Sequence, residues 1–272
     1  MIASADSRVD WAGTAHASAG ADARIACLVP SITELLFSLA LGERVVARTG
    51  FCVHPREAVR QVAKIGGTKD PDLDRLRALT PTHLIVNVDE NRREVVDAAR
   101  AFVPHVIVTH PRTLGENPRL YRLIGAVFGK RDAAETLCGR FLAAERRLRD
   151  AVGPLPIETV LYLIWKKPWM TAGGDTYIAD VLASAGWNVV AADDARPRYP
   201  ALGENDGAWV RAQRILLSSE PYAFRDRDAR AVSAARNRPA DVIDGEMTSW
   251  YGPRAIAGMD YLGTLRRRLA KP

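Results

Sequence analysis

Past residue 24 the chain carries apolar positions in two rhythms that take turns. Ile25 to Val29 is a short apolar run. Pro30-Ser31-Ile32-Thr33-Glu34 then opens a helix through Leu41, closed by Gly42. Ser31 and Glu34 stand at the S-x-x-E spacing of a capping box, so Ser31 reads as a helix cap. Val45 to Arg48 is a second strand, followed by a loop with Phe51, Cys52 and His54. Asp72 to Leu79 reads as a helix, Leu84 to Val88 as a strand, Asn91 to Phe102 as a helix and Val106 to Thr109 as a strand. Strands that alternate with helices in this way predict a parallel sheet covered on both faces.

Residues 131–152 interrupt the alternation. Leu137, Phe141, Ala144, Leu148 and Val152 recur at helical spacing, Arg140, Glu145, Arg146, Arg149 and Asp150 fill the other face, and Gly153-Pro154 stops the pattern. Such a helix reaches ~30 Å, a spine about one small domain long. The alternation then resumes, with strands at Val160 to Ile164, Ile215 to Ser218 and Val242 to Asp244. Helices fall at Thr176 to Ala185, ending at Gly186, and at Pro253 to Leu269. The expected organisation is a flexible extension over 1–24, an α/β lobe over 25–130, a backbone helix over 131–153 and a second α/β lobe over 154–272.

Composition narrows the class. The chain has 272 residues, 47% hydrophobic and 26% charged, which excludes a disordered or collagen-like chain. Its longest apolar runs, Leu35 to Leu41 and Val160 to Trp165, fall far short of the ~20 residues of a spanning helix, so no membrane insertion is expected. The net charge is +6, but most arginines are interleaved with acids and only Arg266-Arg267-Arg268 with Lys271 forms a run. That run suits a helix C-terminus, and no nucleic-acid partner is expected. Cys27, Cys52 and Cys138 are too few and too far apart for a disulfide framework or a zinc ribbon, and the five histidines are scattered. No metal site built from protein ligands alone is expected. Residues 1–24 lack the basic start and apolar stretch of a secretory signal, which points to the cytoplasm. A start further upstream would make the protein periplasmic.

Parallel α/β sheets bind ligands beyond the carboxyl ends of their strands, so the loops there matter most. In the first lobe they carry Pro30-Ser31, Phe51-Cys52, Gly66-Gly67-Thr68-Lys69 and Asp89-Glu90-Asn91. In the second they carry Trp165, Trp169, Met170, Glu220, Tyr222, Trp250 and Tyr251. Trp165, Trp169 and Trp250 are half of the six tryptophans, and rigid aromatics with a polar edge suit a broad, mostly apolar ligand. In a two-lobed protein these loops face each other across a cleft. Plainer readings stay open: Cys52 as packing rather than thiol ligand or nucleophile, Glu220 as a surface charge, one tryptophan as cover for a lobe edge. Neither Gly-Gly pair fits a nucleotide fingerprint, and no catalytic motif is present. The pair Glu90 and Glu220 is the only hint of acid–base chemistry.

Several stretches resemble a known family. They are Arg24-Ile-Ala-Cys-Leu-Val-Pro-Ser-Ile-Thr-Glu-Leu-Leu-Phe, Arg48-Thr-Gly-Phe-Cys-Val-His-Pro, Lys64-Ile-Gly-Gly-Thr-Lys, Asp89-Glu-Asn, Trp169-Met-Thr-Ala-Gly-Gly-Asp-Thr-Tyr-Ile, Ala185-Gly-Trp and Leu217-Ser-Ser-Glu-Pro-Tyr. In this order, over roughly residues 24–268, they resemble the cobalamin-binding branch of the substrate-binding proteins of ATP-binding-cassette importers, the helical-backbone metal receptors. The resemblance implies an α/β fold of two Rossmann-like lobes joined by one long backbone helix, the class III periplasmic-binding-protein arrangement. It implies a metal chelate held between the lobes and modest closure on binding.

By the same resemblance the pocket positions are Phe51, Thr68, Val88, Met170 and Trp250, with Thr68 and Val88 standing where the cobalamin binders have tryptophan. Asp74 matches the first of two acidic residues that dock such proteins on a permease. Gly252-Pro253-Arg254 replaces the second. The expectation is a non-enzymatic binding protein with no required cofactor, whose ligand is a cobalt corrinoid and whose partner is an importer permease. A ferric siderophore or haem is the alternative ligand, and a chelatase-like enzyme acting on a metallated tetrapyrrole is the alternative class.

Overall fold

The computed structural model of the chain describes residues 5–194 and 197–270. The chain forms two compact units. The first runs up to Pro111 and takes in Glu116–Phe141 and Tyr251–Pro253. The second consists of Arg112–Gly115, Leu142–Trp250 and the stretch from Arg254 onward.

In the first unit β1 (Ile25–Cys27), β2 (Val45–Arg48), β3 (Ala63–Lys64), β4 (His83–Asn87) and β5 (His105–Thr109) form one sheet in the order β3-β2-β1-β4-β5. Every pairing is parallel. All five residues of β4 are buried, as a strand covered on both faces requires. The apolar core around Ala26, Leu28, Ile65, Leu84 and Val86 closes over the helices Leu73–Ala78 and Arg93–Ala99. The chain moves outward from β1 to β3 and then returns to β4, so the strand order reverses at β1, where such sheets place their sites. The first helix is Pro30–Ser38, shorter than the predicted run to Leu41, because Ala40 adopts the left-handed conformation (φ 54°) and turns the chain out.

The stretch before residue 25 departs from the expected flexible extension. The Asp10 carboxylate, 1% exposed, accepts hydrogen bonds from the amides of Ala12, Thr14 and Val108, each at 2.9 Å, and lies 3.0 Å from His16 Nε2. Trp11 N donates to Val108 O, so this stretch pairs with the free edge of β5. The Arg119 guanidinium sits 4.1 Å above the Trp11 ring. A buried carboxylate with this many donors fixes a loop that composition alone describes as loose.

The amino ends of β4 and β5 gather histidines. His83 and His105 are paired first residues of β4 and β5, and their rings stack at 4.7 Å. With His16 they line a cavity of about 220 Å³. Burial, then the neighbouring His105 and His16, pushes the His83 imidazole down to about 4.

The second unit is a mixed sheet of β6 (Glu158–Trp165), β7 (Trp169–Thr171), β8 (Trp187–Val189), β9 (Ala201–Leu202), β10 (Arg214–Ser218) and β11 (Ala240–Ile243). The order is β11-β10-β6-β7-β9, and β8 pairs with the first half of β6. The chain reverses after Trp165 through Lys167 (φ 68°), and β7 returns antiparallel to β6. Trp169 and Met170 therefore lie on a strand, and not on the predicted strand-to-helix loop. Its helices include Tyr177–Ser184, capped by the Thr176 side chain, and Arg254–Leu269.

Arg131–Val152 is one uninterrupted helix of 22 residues. Residues 131–141 belong to the first unit and 142–152 to the second. The predicted stripe of Leu137, Phe141, Ala144, Leu148 and Val152 is buried. Among the described residues no helix is long and apolar enough to cross a membrane.

Candidate functional site

Beyond β1 the helix starts one residue earlier than a capping box requires. Pro30, with its fixed φ, occupies the first turn, Val29 is the N-cap, and no side chain caps the helix. Ser31 is thereby drawn inside the helix, and its buried Oγ makes no hydrogen bond. Next to it lies Tyr251, whose hydroxyl donates to Glu90 Oε1 in a short hydrogen bond. Burial, and then the charge of Glu90, raise the Tyr251 pKa well above the ordinary phenol value. The phenol stays protonated and serves as a donor.

Asn91, to which the sequence assigns no role of its own, organises this edge. Its Oδ1 accepts from Asn87 N (2.8 Å), and its Nδ2 donates to the carbonyls of Thr68 (2.8 Å) and Leu28 (3.5 Å). One amide thus joins the ends of three strands, β1, β3 and β4. In the Asp89-Glu-Asn stretch that signal is the amide at the third position, beside two more conspicuous acids.

Cys52 is corrected to a packing residue. It is fully buried, and Thr33 Oγ1 and Thr49 Oγ1 each lie 3.2 Å from its sulfur. Burial raises the thiol pKa, which keeps it protonated and a poor nucleophile or ligand. Its neighbours face the other way: Phe51 is 63% exposed and Val53 42%, and on the β4 loop Val88 is 53% exposed. Thr68 is half-buried, and Asp74 is exposed in the first turn of its helix.

In the second unit Trp165 is 40% exposed, and its ring meets Tyr222 edge-on at 5.6 Å. Trp169 is half-buried and packs against the core of this unit. It stacks on Phe224 (6.1 Å, 8° between planes), meets Trp209 edge-on at 5.7 Å, and donates Nε1 to Glu204 at 3.1 Å. Its indole is thus committed to the packing beneath the hairpin. Met170 sits half-buried opposite Trp165 in the hairpin.

Glu220 follows β10. Its Oε1 accepts from Ser249 Oγ (3.0 Å) and from Trp250 Nε1 (2.7 Å). Burial raises its pKa most, the two donors oppose that, and Glu246 and Asp244 raise it further. Trp250 is 8% exposed, with the Arg254 guanidinium 5.2 Å from its ring. Glu90 is bonded to Tyr251 in the first unit, and Glu220 to Ser249 and Trp250 in the second. Among the described residues no group of three or more His, Cys, Asp or Glu could hold a metal ion.

Comparisons with known proteins agree with this geometry. The Vitamin B12-binding protein of Yersinia pestis (strain Pestoides F) is 20% identical over 195 residues, 72% of this chain and 69% of its own. The uncharacterized ABC transporter substrate-binding lipoprotein YvrC of Bacillus subtilis (strain 168) is 22% identical over 260 residues, 88% of this chain and 78% of its own. Among solved structures, the periplasmic vitamin B12 binding protein BtuF of Vibrio cholerae superposes with a TM-score of 0.78 at 18% identity, covering 92% of this chain and 98% of that one. The periplasmic heme-binding protein RhuT from Roseiflexus sp. RS-1, in apo form, gives 0.77 at 22% identity, covering 92% and 100%. At these identities the structures establish the fold, two α/β units of the class III type. The family described as Periplasmic binding protein matches residues 25–228, three quarters of the chain, and the chain belongs to it.

Proposed function

We propose that this chain binds a bulky metal chelate, a cobalt corrinoid, and delivers it to the permease of an ATP-binding-cassette importer without transforming it. The observation that carries the reading is the exposure of Phe51, Val88 and Trp165, large apolar side chains at the carboxyl ends of the two sheets. Exposed apolar surface at strand ends fits a broad ligand with a hydrophobic face. The Vitamin B12-binding relatives support a corrinoid, and the family description favours a periplasmic location over the cytoplasmic one expected from residues 1–24. The chelate is cargo, so no resident cofactor is needed. Exposed Asp74 is the residue offered to the permease.

Titration with cyanocobalamin, followed by tryptophan fluorescence and calorimetry, tests this. Saturable quenching is expected. Binding of haem or a ferric siderophore with no response to cyanocobalamin replaces the corrinoid by that ligand.

A further inference from the structure

Glu220 combines two properties that a purely structural carboxylate does not need. One oxygen, Oε1, is held by Ser249 and Trp250, whereas Oε2 accepts no hydrogen bond among the described residues, and Glu220 is only partly buried. It lies where a ligand on the second sheet would reach it, because Tyr222 N donates to Ile164 O (3.4 Å) and draws the Glu220 loop beside the exposed Trp165. The surrounding charge is not balanced in its favour. Asp244 and Glu246 act on it as like charges. Among the cations of the adjoining loops, Lys166 Nζ is 2.9 Å from Asp228 and Arg254 is 3.1 Å from Glu246, while Lys167 and Arg225 are exposed.

We infer that Glu220 makes this site select rings whose periphery carries neutral amides over the same rings carrying carboxylates. The inference rests on the proposed chelate-binding function and adds the chemical class of the ligand's rim. An amide N–H approaching Oε2 completes the carboxylate's hydrogen bonding. A carboxylate approaching the same oxygen adds an anion beside Glu220, Asp244 and Glu246, which is discrimination by repulsion.

Cyanocobalamin and its monocarboxylic acid, in which one peripheral amide has been hydrolysed, share shape and differ by one charge. Calorimetric titration of the full chain at neutral pH is expected to show the amide form binding about tenfold more tightly. In Glu220→Gln, whose side-chain carbonyl still accepts from Trp250, the two affinities are expected to converge. A general loosening of the site shifts both affinities and leaves their ratio intact. Equal affinities in the unaltered protein, or a preference that survives E220Q, overturn the inference and leave the binding function standing. If neither corrinoid binds and haem does, the proposed corrinoid fails, and haem is compared with its dimethyl ester. Tighter binding of the ester that is lost in E220Q supports the selectivity, and equal binding overturns it.

Discussion

At the carboxyl edge of the first sheet the polar groups are spent on one another; at the same edge of the second they are partly left over. Asn91 bonds three strand ends, Tyr251 closes on Glu90, and Cys52 is sealed by two threonines, while Phe51 and Val88 stand exposed beside them. The second edge presents an aromatic pair, Trp165 and Tyr222, beside a carboxylate with an unused oxygen. Under the proposed function, the first edge would offer an apolar face held from within, and the second an aromatic contact with a polar acceptor beside it.

The largest expected effect tests the rigidity of the first edge. Asn91→Ala strands the Asn87 amide and the Thr68 carbonyl in a buried place, which costs about 3 kcal/mol. Urea unfolding should show a lowered midpoint, and an unchanged midpoint would mean that the edge is not held from within. The second effect tests the grip. Trp165→Ala should leave the urea midpoint nearly in place, since the ring is 40% exposed, and weaken ligand binding about tenfold. A large loss of stability with intact binding would reverse the roles assigned to the two edges.

The smallest effect separates the units by acid. All five histidines, His16, His54, His83, His105 and His110, lie in the first unit. The folded state holds His83 at about 4, below its unfolded value of 6.5, so the unfolded chain binds more protons between these limits. Stability is full above 6.5 and is lost as pH falls toward 4. Hydrogen exchange over that window should rise first in β4 and β5, and in His83→Gln the onset should move to lower pH. Equal acid loosening of β6 and β10 would erase the contrast.

Much of this was legible in the sequence. Long apolar runs such as β4 and β6, the 3.6-residue stripe of Arg131–Val152 and the Thr176 cap announce themselves through period and local chemistry. Three features did not. The strands β8 and β9, of three and two residues, are too short to show a period. Ser31 has the residue type of a cap, but Pro30 shifts the helix start and takes its role away. Phe51 and Cys52 are neighbours on one loop, and which of them turns inward depends on Thr33, 19 residues away from Cys52. Burial of that kind is a tertiary fact that no local pattern carries.

The three residues Tyr251–Pro253 have a consequence for where the chain could be cut. Between two helices of the second unit the chain enters the first, where Gly252 N donates to Asn117 Oδ1 (2.7 Å) and the Tyr121 hydroxyl donates to Gly252 O (2.8 Å). Gly252 (φ 81°) is the residue this visit requires, because a Cβ there would come within 3.0 Å of Ser31 O. The first unit is thus completed by residues that follow the strands of the second unit in the chain, and a fragment ending after the long helix would leave Asn117 and Tyr121 without these two partners.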